Sequence, residues 1–382
     1  MSAASATVSR AGVLRDQFPV FEHARYLNTC SMGALSLRSR QRVNEYLDLW
    51  NTRGAAAWHD VWWAALAELR ERYGRVIGAA ARDVALVPNI SAALGAVAES
   101  LDYARRPRVV ITSLDFPTVA YQWLAKQTEG VETVVVESPD GIEVPLERVE
   151  RAVDDRTAIV ATSHVCFTSG AVQDVRSVAE IAHRHGALLL VDGYHAAGQL
   201  PVDVQALDVD FYCAGGLKWL LGGSGIAFLY ARPALQHALM PRVTGWFAHR
   251  EQFRFDSRTL ELHDDARRFE SGTPAMAAVY AQLGGLDLLD QVGQAEIRGI
   301  TMRLAEELIE AARAAGVAPQ VPPDPARRSG IVSLVSDDPV RDVRRLAQAG
   351  IVTDARPGLV RVSPYFYNEP DDIRALVEQL KP

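Results

Sequence analysis

Short, nearly continuous apolar runs alternate along this chain with longer stretches in which apolar residues recur every three or four positions. The short runs predict strands covered on both faces, and the longer stretches predict amphipathic helices. The predicted strands lie at residues 84–88, 108–113, 132–137, 157–163, 188–192, 209–213 and 226–230. The helical spacing occupies residues 37–80, with a break at 52–57, and residues 89–101, 175–185 and 275–314. This alternation predicts an α/β fold.

The 382 residues are enough for a large domain and a smaller one. We expect an N-terminal segment at residues 1–20, a large domain at 21–274 and a small C-terminal α+β domain at 275–382, to which the N-terminal segment contributes. The small domain is predicted to contain a strand at 331–336, a helix at 339–349, an edge strand at 360–363 and a capped final helix.

The stretch from Leu188 to Tyr230 contains the most informative candidate chemistry. Asp192 ends one predicted strand and Lys218 follows the next, so both are expected at the edge where open α/β sheets bind ligands. A lysine can form a Schiff base with the aldehyde of pyridoxal phosphate (PLP), and a carboxylate can keep the pyridine nitrogen protonated. The residues alone leave open a helix-capping aspartate and a surface lysine.

Three further groups are expected near this edge. A helix begins at Ile90 and Ser91, where free backbone N–H groups suit a phosphate, although a plain N-cap has the same appearance. His164 follows the strand at 157–163 and is either a site residue or a structural one. The polar loop that contains Asn28 and Ser31 could reach an amino acid or form an ordinary turn.

Four motifs carry a resemblance to a known family: VDGYHAAGQLPVD, DFYCAGGLKWLLGGSGIAFLY, TGWFAH and RFESGTP. They resemble the class V aminotransferase family of fold type I PLP-dependent enzymes, and within it the kynureninases and related lyases. The similarity extends from about Tyr26 to the C-terminus. It implies a large domain with a mostly parallel seven-stranded sheet, a small C-terminal α+β domain, PLP as cofactor, an amino-acid substrate, and a homodimer with shared active sites.

The resemblance also implies roles for individual residues. Lys218, Asp192 and His195 are the expected catalytic residues, with Lys218 as the proton shuttle once the substrate amine has displaced it. Arg361 is expected to bind the substrate carboxylate, with Arg356 as its rival and with Asn28 and His164 as further substrate contacts. The expected cofactor contacts, of which Trp246 and Thr273 would come from the neighbouring subunit, are Ile90, Ser91, Phe116, Thr168, Asp192, His195, Lys218, Trp246 and Thr273.

Departures from the resembling enzymes bear on the reaction. Leu217 stands where kynureninases have a phosphate-binding tyrosine, and Glu270 and Ser271 stand near their aryl-recognising asparagine. The loop GIVTDARPGLVR lacks the nucleophilic cysteine of cysteine desulfurases. We therefore expect β-elimination from a cysteine S-conjugate (a C–S lyase) or a related kynureninase-like reaction, as in lincosamide antibiotic biosynthesis. The alternatives are transamination and decarboxylating oxidative deamination to an aldehyde. A non-catalytic binding protein need not retain Asp192, Lys218 and Arg361 together.

Composition excludes several other classes of protein. The net charge of −7, with both signs interspersed, offers no basic face for nucleic acid and no polybasic membrane anchor. No apolar run approaches the roughly 18 residues that a membrane helix needs. The three widely spaced cysteines, Cys30, Cys166 and Cys213, show no metal-ligand pattern. We expect a cytoplasmic enzyme with no metal site.

Overall fold

The computed structural model describes residues 12–380, so residues 1–11 of the predicted N-terminal segment lie outside the described part. The elements in chain order are β1 (Arg25–Tyr26), α1 (Leu37–Arg53), α2 (Trp63–Ile77), β2 (Val84–Val87), α3 (Ile90–Ala98), β3 (Arg108–Thr112), α4 (Pro117–Leu124), β4 (Glu132–Val136), α5 (Leu146–Ala152), β5 (Thr157–Ser163), α6 (Val175–Arg184), β6 (Leu188–Asp192), β7 (Phe211–Gly215), β8 (Ala227–Ala231), α7 (Pro233–Gln236), α8 (Met276–Val292), α9 (Gln294–Ala314), β9 (Pro319–Gln320), β10 (Val332–Val335), α10 (Pro339–Gln348), β11 (Ile351–Val352), β12 (Asp354–Arg356), β13 (Leu359–Val362) and α11 (Pro370–Leu380).

A seven-stranded sheet forms the centre of the molecule, in the order β2-β8-β7-β6-β5-β3-β4. Only β8 runs antiparallel to its neighbours, and the other pairings are parallel. Strands β5, β7 and β8 are buried along their whole length because apolar clusters cover both faces of the sheet. The predicted mostly parallel seven-stranded α/β fold is confirmed.

The order of the strands brings the candidate residues to one edge. Strands β5, β6 and β7 are parallel neighbours, with Ser163 beside Asp192 and Asp192 beside Cys213. Their carboxyl ends therefore open at the same side of the sheet, where ligands bind in open α/β sheets. The loops that carry His164, Asp192 and Lys218 all begin there.

The C-terminal region forms a four-stranded antiparallel sheet in the order β12-β13-β10-β9. The prediction of an edge strand at 360–363 is wrong, because β13 lies between β12 and β10. The outer strand β12 is only three residues long, and the turn through Gly358 pairs it with β13, with Asp354 opposite Arg361. A strand of this length leaves almost no periodic signal in the sequence.

The N-terminal region joins the two sheets. Strand β1 pairs in parallel with β11, and Asn28 forms a bridge with Ser363. The N–H of Gly33 donates to the carbonyl of Leu217 at 2.8 Å, and a Cβ atom on Gly33 would overlap the carbonyl of Lys218. The loop between β1 and α1 therefore covers the backbone of the lysine turn.

Helix packing crosses the predicted domain boundary at residues 274 and 275. Helix α8 begins at Met276 and packs against α1 and α2, which belong to the predicted large domain. The boundary therefore stays a prediction. Within residues 12–380, no helix is long and apolar enough to cross a membrane.

Candidate active site

A cavity of about 390 Å³ lies at the carboxyl edge of the central sheet. The large sheet, the N-terminal loop and the β12–β13 hairpin all contribute to it. Its walls are formed by Cys30, Ser31, Asn89, Ile90, Ser91, Phe116, Thr118, Asp192, Tyr194, His195, Leu217, Lys218, Arg356 and Arg361. Seven of the twelve predicted site residues therefore come together here: Ile90, Ser91, Phe116, Asp192, His195, Lys218 and Arg361.

The Lys218 amine lies near two aromatic rings. Its Nζ is 4.3 Å from the ring centroid of Tyr194 and 5.8 Å from that of Phe116. His195 Nε2 is 2.9 Å from the same Nζ. Burial lowers the pKa of Lys218 to about 8, because removing an ammonium from water disfavours its charged form. Near neutral pH the neutral, nucleophilic form of this amine is therefore much more abundant than that of an exposed lysine, whose pKa is about 10.4.

Asp192 is buried at the end of β6 and accepts a hydrogen bond from the backbone N–H of Tyr194 at 2.9 Å. Burial raises its pKa to about 6, against the opposing effects of that hydrogen bond and of the Lys218 charge. A buried carboxylate without a close cationic partner is costly. It would be compensated by a protonated pyridine nitrogen in the cavity.

The start of α3 provides an anion site. Asn89 is the N-cap residue, and its side chain accepts from the N–H of Ala92 at 2.9 Å. The first-turn amides, including those of Ile90 and Ser91, have no partner within the helix. The Ser91 hydroxyl lies 2.7 Å from that of Thr118, in the first turn of α4. Amides and hydroxyls at a helix N-terminus suit a phosphate group.

Arg361 extends from β13 and forms part of another wall of the cavity. Its Nη1 donates to the carbonyl of Phe167 at 2.7 Å, and its Nη2 donates to Ser31 at 3.1 Å and to Asp354 at 2.5 Å. Asp354 also accepts from Arg356 at 2.8 Å. Among the described residues, none accepts a hydrogen bond from the buried Nε of Arg361. That buried nitrogen is therefore a donor without a partner, which is rare in protein interiors.

Three predicted residues do not line the cavity. His164 is buried behind Asp192, with Nδ1 3.1 Å from the Tyr212 hydroxyl, and burial lowers its pKa to about 4. The carbonyl of Thr168 accepts from Ser333, while its neighbour Phe167 packs edge-on against Phe116. Asn28 donates to the Thr353 carbonyl at 3.5 Å. The Asn28 loop reaches the cavity through Cys30 and Ser31, whereas the loop of His164 and Thr168 contacts the lining residues Arg361 and Phe116 through Phe167.

Trp246 and Thr273 lie in a different place. Together with Trp58, Trp63 and Phe253 they line a separate aromatic cavity of about 260 Å³. The Trp246 ring is 40% exposed, and Phe255 beside it is 76% exposed. Neither Trp246 nor Thr273 therefore lines the Lys218 cavity of the same chain. Their predicted role in a neighbouring subunit's site stays a prediction.

Sequence reasoning missed four residues that the fold brings to the site. Tyr194 follows Asp192 by two positions, and Thr118 follows Phe116 by two. The sequence shows that both residues stand beside a strand end or a helix start, but it does not show the directions of their side chains. Cys30 lines the cavity, although sequence analysis assigned none of the three cysteines to the site. Asp354 could be found only through the pairing of β12 with β13.

These groups fit PLP. The cavity offers an amine for the aldehyde, a buried carboxylate for the ring nitrogen, an anion site at α3 and two flanking rings. All four requirements are met by residues of one cavity, with Lys218 at its centre. Fold and site together define a fold type I PLP-dependent enzyme.

Comparisons with known proteins agree. The family model for class V aminotransferases matches residues 37–376. An uncharacterized aminotransferase of Bacillus subtilis (strain 168), YcbU, is 33% identical over 369 residues and 96% of each chain, and the kynureninase of Pseudomonas fluorescens is 29% identical over 91% of this chain and 86% of its own. A solved cystine C–S lyase, C-DES, superposes with a TM-score of 0.88 at 21% identity, over 96% of this chain and 99% of its own. The chain belongs to the class V aminotransferase family. It is a PLP-dependent enzyme.

Proposed function

We propose that this enzyme cleaves the Cβ–S bond of a cysteine S-conjugate by β-elimination. The observation that carries the proposal is that Lys218 Nζ lies near the Phe116 and Tyr194 rings, in the same cavity as Arg361. A thioether makes favourable contacts with aromatic rings, and a guanidinium binds a carboxylate. The cavity thus offers one surface for each end of such a substrate.

The charges at the Arg361 wall support a substrate with one carboxylate. Two guanidinium groups, of Arg356 and Arg361, share the single carboxylate of Asp354, which leaves one positive charge to be balanced. The pKa of Asp354 is lowered by Arg361, Ser31 and Arg356 in spite of burial, so it stays ionised. An amino acid whose α-carboxylate balances this remaining positive charge would complete the cluster.

The reaction consumes one water. The conjugate R–S–CH₂–CH(NH₃⁺)–COO⁻ and water give the thiol RSH, pyruvate and ammonium. The Cα–H and Cβ–S bonds break, the electron pair of the Cα–H bond forms the Cα=Cβ double bond, and the sulfur leaves and is protonated. PLP, when bound, supplies the electron sink for this step. Arg361 would fix the substrate, Lys218 would take the Cα proton, Asp192 would hold the pyridine nitrogen, and the flanking rings would limit access of water.

Transamination is the second candidate, favoured by the similarity to an enzyme named an aminotransferase. It would use the same Lys218 and Arg361 but would need a keto acid and would release no thiol. Kynurenine hydrolysis has less support from the chain. Glu270, which stands near the expected aryl-recognising position, is buried in an ion pair with Arg70 at 2.7 Å and accepts from the N–H of Leu86 at 3.0 Å.

The products distinguish these reactions. Purified enzyme is incubated with S-methyl- and S-benzyl-cysteine, cystine and kynurenine, with and without a keto acid, and thiol, pyruvate, ammonium and aldehyde are measured. Without keto acid we expect thiol and pyruvate in equal amounts from the S-alkyl cysteines, and pyruvate with cysteine persulfide in place of the thiol from cystine. A requirement for keto acid would establish transamination, aldehyde formation would establish decarboxylating oxidative deamination, and release of anthranilate from kynurenine would establish the kynureninase reaction. Each of these results would overturn the proposal.

Cys30 allows a separate test of the step in which sulfur leaves Cβ. Its thiol lies in the cavity wall, so a persulfide mechanism would place sulfur there. We expect Cys30→Ala to retain thiol release, because elimination needs no sulfur acceptor. Cys213→Ala, which removes a buried thiol on β7, is the matched control. Loss of turnover in Cys30→Ala alone would contradict elimination.

The active enzyme is proposed to be a homodimer. The exposed rings of Trp246, Phe253 and Phe255 form an apolar surface, of the kind that marks protein interfaces. Trp246 and Thr273 would then complete the partner's cavity. A protein that sediments as a monomer and has full activity in the assay would contradict the proposed dimer.

A further inference from the structure

His195 is hydrogen-bonded at both ring nitrogens. Its Nε2 is 2.9 Å from Lys218 Nζ, and its Nδ1 accepts from the indole N–H of Trp219 at 3.3 Å. An indole nitrogen can only donate, so the nitrogen that faces it must be the unprotonated one. In a neutral imidazole the proton is then on the other nitrogen, which faces the lysine.

We propose that Trp219 is a positioning residue that holds His195 as the Nε2–H tautomer, so that His195 donates a hydrogen bond to the Lys218 amine. The opposite tautomer would point two N–H donors at each other across the Nδ1 contact. Because a donor at Nε2 needs a lone pair opposite it, the arrangement favours the neutral form of Lys218. Neutral His195 therefore has no acceptor for the lysine proton, and Lys218 carries the proton at Cα by itself.

Trp219 is held firmly enough for this role. It is fully buried, and its carbonyl accepts a hydrogen bond from the Tyr365 hydroxyl at 2.9 Å, while the two rings meet edge to face. A Cβ atom on Gly198 would approach the same carbonyl at 2.6 Å. The indole therefore has little freedom to turn its N–H away from His195.

The backbone of His195 is fixed independently. Gln199 donates from its side-chain nitrogen to the His195 carbonyl, and its oxygen accepts from the N–H of Gly330 at 2.8 Å. The imidazole is thus held from its main chain and from Nδ1, which leaves Nε2 aimed at Lys218. The sequence places Trp219 directly after the lysine, so one short turn supplies both partners of the histidine.

The surrounding charges agree with a neutral imidazole. Burial lowers the pKa of His195 well below its usual value, and the positive charges of Lys218, Arg361 and Arg356 lower it further. For Lys218, burial, Arg361 and Arg356 lower the pKa, while Asp192 and Cys30 raise it. The inference rests on the proposed PLP site but holds for elimination and for transamination alike, because both use the same free Lys218 amine once the substrate amine has displaced it.

Nuclear magnetic resonance of the full-length protein, with PLP removed and shown to rebind on addition, tests the tautomer directly. Histidine is labelled with nitrogen-15, and His195 is assigned from the signals missing in His195→Gln. We expect a protonated Nε2 and an unprotonated Nδ1 at neutral pH. A protonated Nδ1, or a charged ring at neutral pH, would overturn the proposal.

A second measurement tests the effect of Trp219. The chain has three lysines, so in the same PLP-free protein the rate of amine labelling at Lys218 can be followed against pH by peptide mass spectrometry. In Trp219→Phe, Nδ1 is free to take the proton and Nε2 can accept from the ammonium, so the labelling curve should move to higher pH. Tyr365→Phe, which leaves the indole N–H in place, should not move it. An unmoved curve in folded Trp219→Phe, or an equal shift in both variants, would show a merely structural role.

Discussion

At the scale of single residues, the contrast between Arg361 and Arg356 is the sharpest feature of the cavity. Arg361 is 1% exposed and has a buried Nε without a partner among the described residues, whereas Arg356 is partly exposed and pairs with Asp354. We expect Arg361→Lys to raise KM about 10–100-fold, because a charged hydrogen bond contributes about 1.5–3 kcal/mol. Arg356→Lys should raise it less. Steady-state kinetics measures KM for both variants. Equal increases in KM would show that both arginines bind the substrate carboxylate.

The pKa of Lys218 predicts how the enzyme takes up its cofactor. The neutral amine attacks the PLP aldehyde, and its fraction grows as pH rises through the folded-state pKa of about 8. The pKa of an exposed lysine is about 10.4, so its amine becomes half neutral only near that pH. The rate of PLP uptake by cofactor-free enzyme, followed by absorbance, should therefore approach its plateau above pH 8. A rate still rising steeply at pH 10 would contradict the burial argument.

Residue identities predicted only part of the site. Asp192 and Lys218 follow strands whose apolar runs are clear, so their positions could be placed from the sequence. Tyr194 could not be placed, because its ring direction depends on a neighbouring strand: a Cβ atom on Gly215 would overlap it. His164 was placed on the correct rim, yet the Tyr212 hydroxyl holds its ring away from the cavity.

At the scale of elements, the turns after β6 and β7 set the geometry of the site. Gly193 lies against the Tyr212 ring, and any Cβ atom there would overlap it. A well-packed interior tolerates little added volume, and the turn that follows Asp192 would have to shift. These turns therefore position Asp192 and His195 relative to Lys218.

Gly193→Ala tests this close approach. We expect the free energy of unfolding to fall by about 1–3 kcal/mol, with weaker retention of PLP, because overpacking displaces the turn. Gly299→Ala is the matched control, since the nearest atom to its Cβ would be 3.6 Å away on a flexible arginine. Within α9 that change should raise stability by up to about 1 kcal/mol. Urea unfolding of both variants measures the difference, and similar effects would show that Gly193 has room.

The small sheet shows where pattern reading failed at this scale. Apolar alternation placed β10 and α10 within one or two residues, but the three-residue β12 had no periodic signal. The pairing of Asp354 with Arg361 therefore stayed hidden, and with it the charge balance of the substrate wall. Register across short strands is a property of tertiary structure.

At the scale of the whole molecule, the cavity is assembled from distant parts of the chain. The N-terminal loop, the carboxyl edge of the sheet and the β12–β13 hairpin each contribute to the cavity walls. The contact of Gly33 with the lysine turn holds the N-terminal loop against the edge of the sheet. The strands of the central sheet could be predicted from periodicity. The contacts that hold these parts together could not be predicted, because they connect residues more than 180 positions apart.

Subunit sharing can be tested by complementation. If Thr273 completes the partner's cavity, a mixed dimer of Lys218→Ala and Thr273→Ala protomers has one site with both defects and one with none. Refolding the two inactive variants together should then restore part of the activity. Two Lys218→Ala preparations treated in the same way are the control. No recovery, with mixed dimers shown by mass spectrometry, would place Thr273 and Lys218 in sites of the same chain or outside catalysis.

The central claim is that Lys218 carries PLP, and covalent trapping tests it most directly. The holoenzyme is reduced with borohydride, digested and mapped by mass spectrometry, with Lys126 as an internal control because its amine is buried against Glu99. We predict a pyridoxyl group on Lys218, and loss of the visible Schiff-base band in Lys218→Ala. A pyridoxyl group on another lysine, or an unchanged band in Lys218→Ala, would contradict the account.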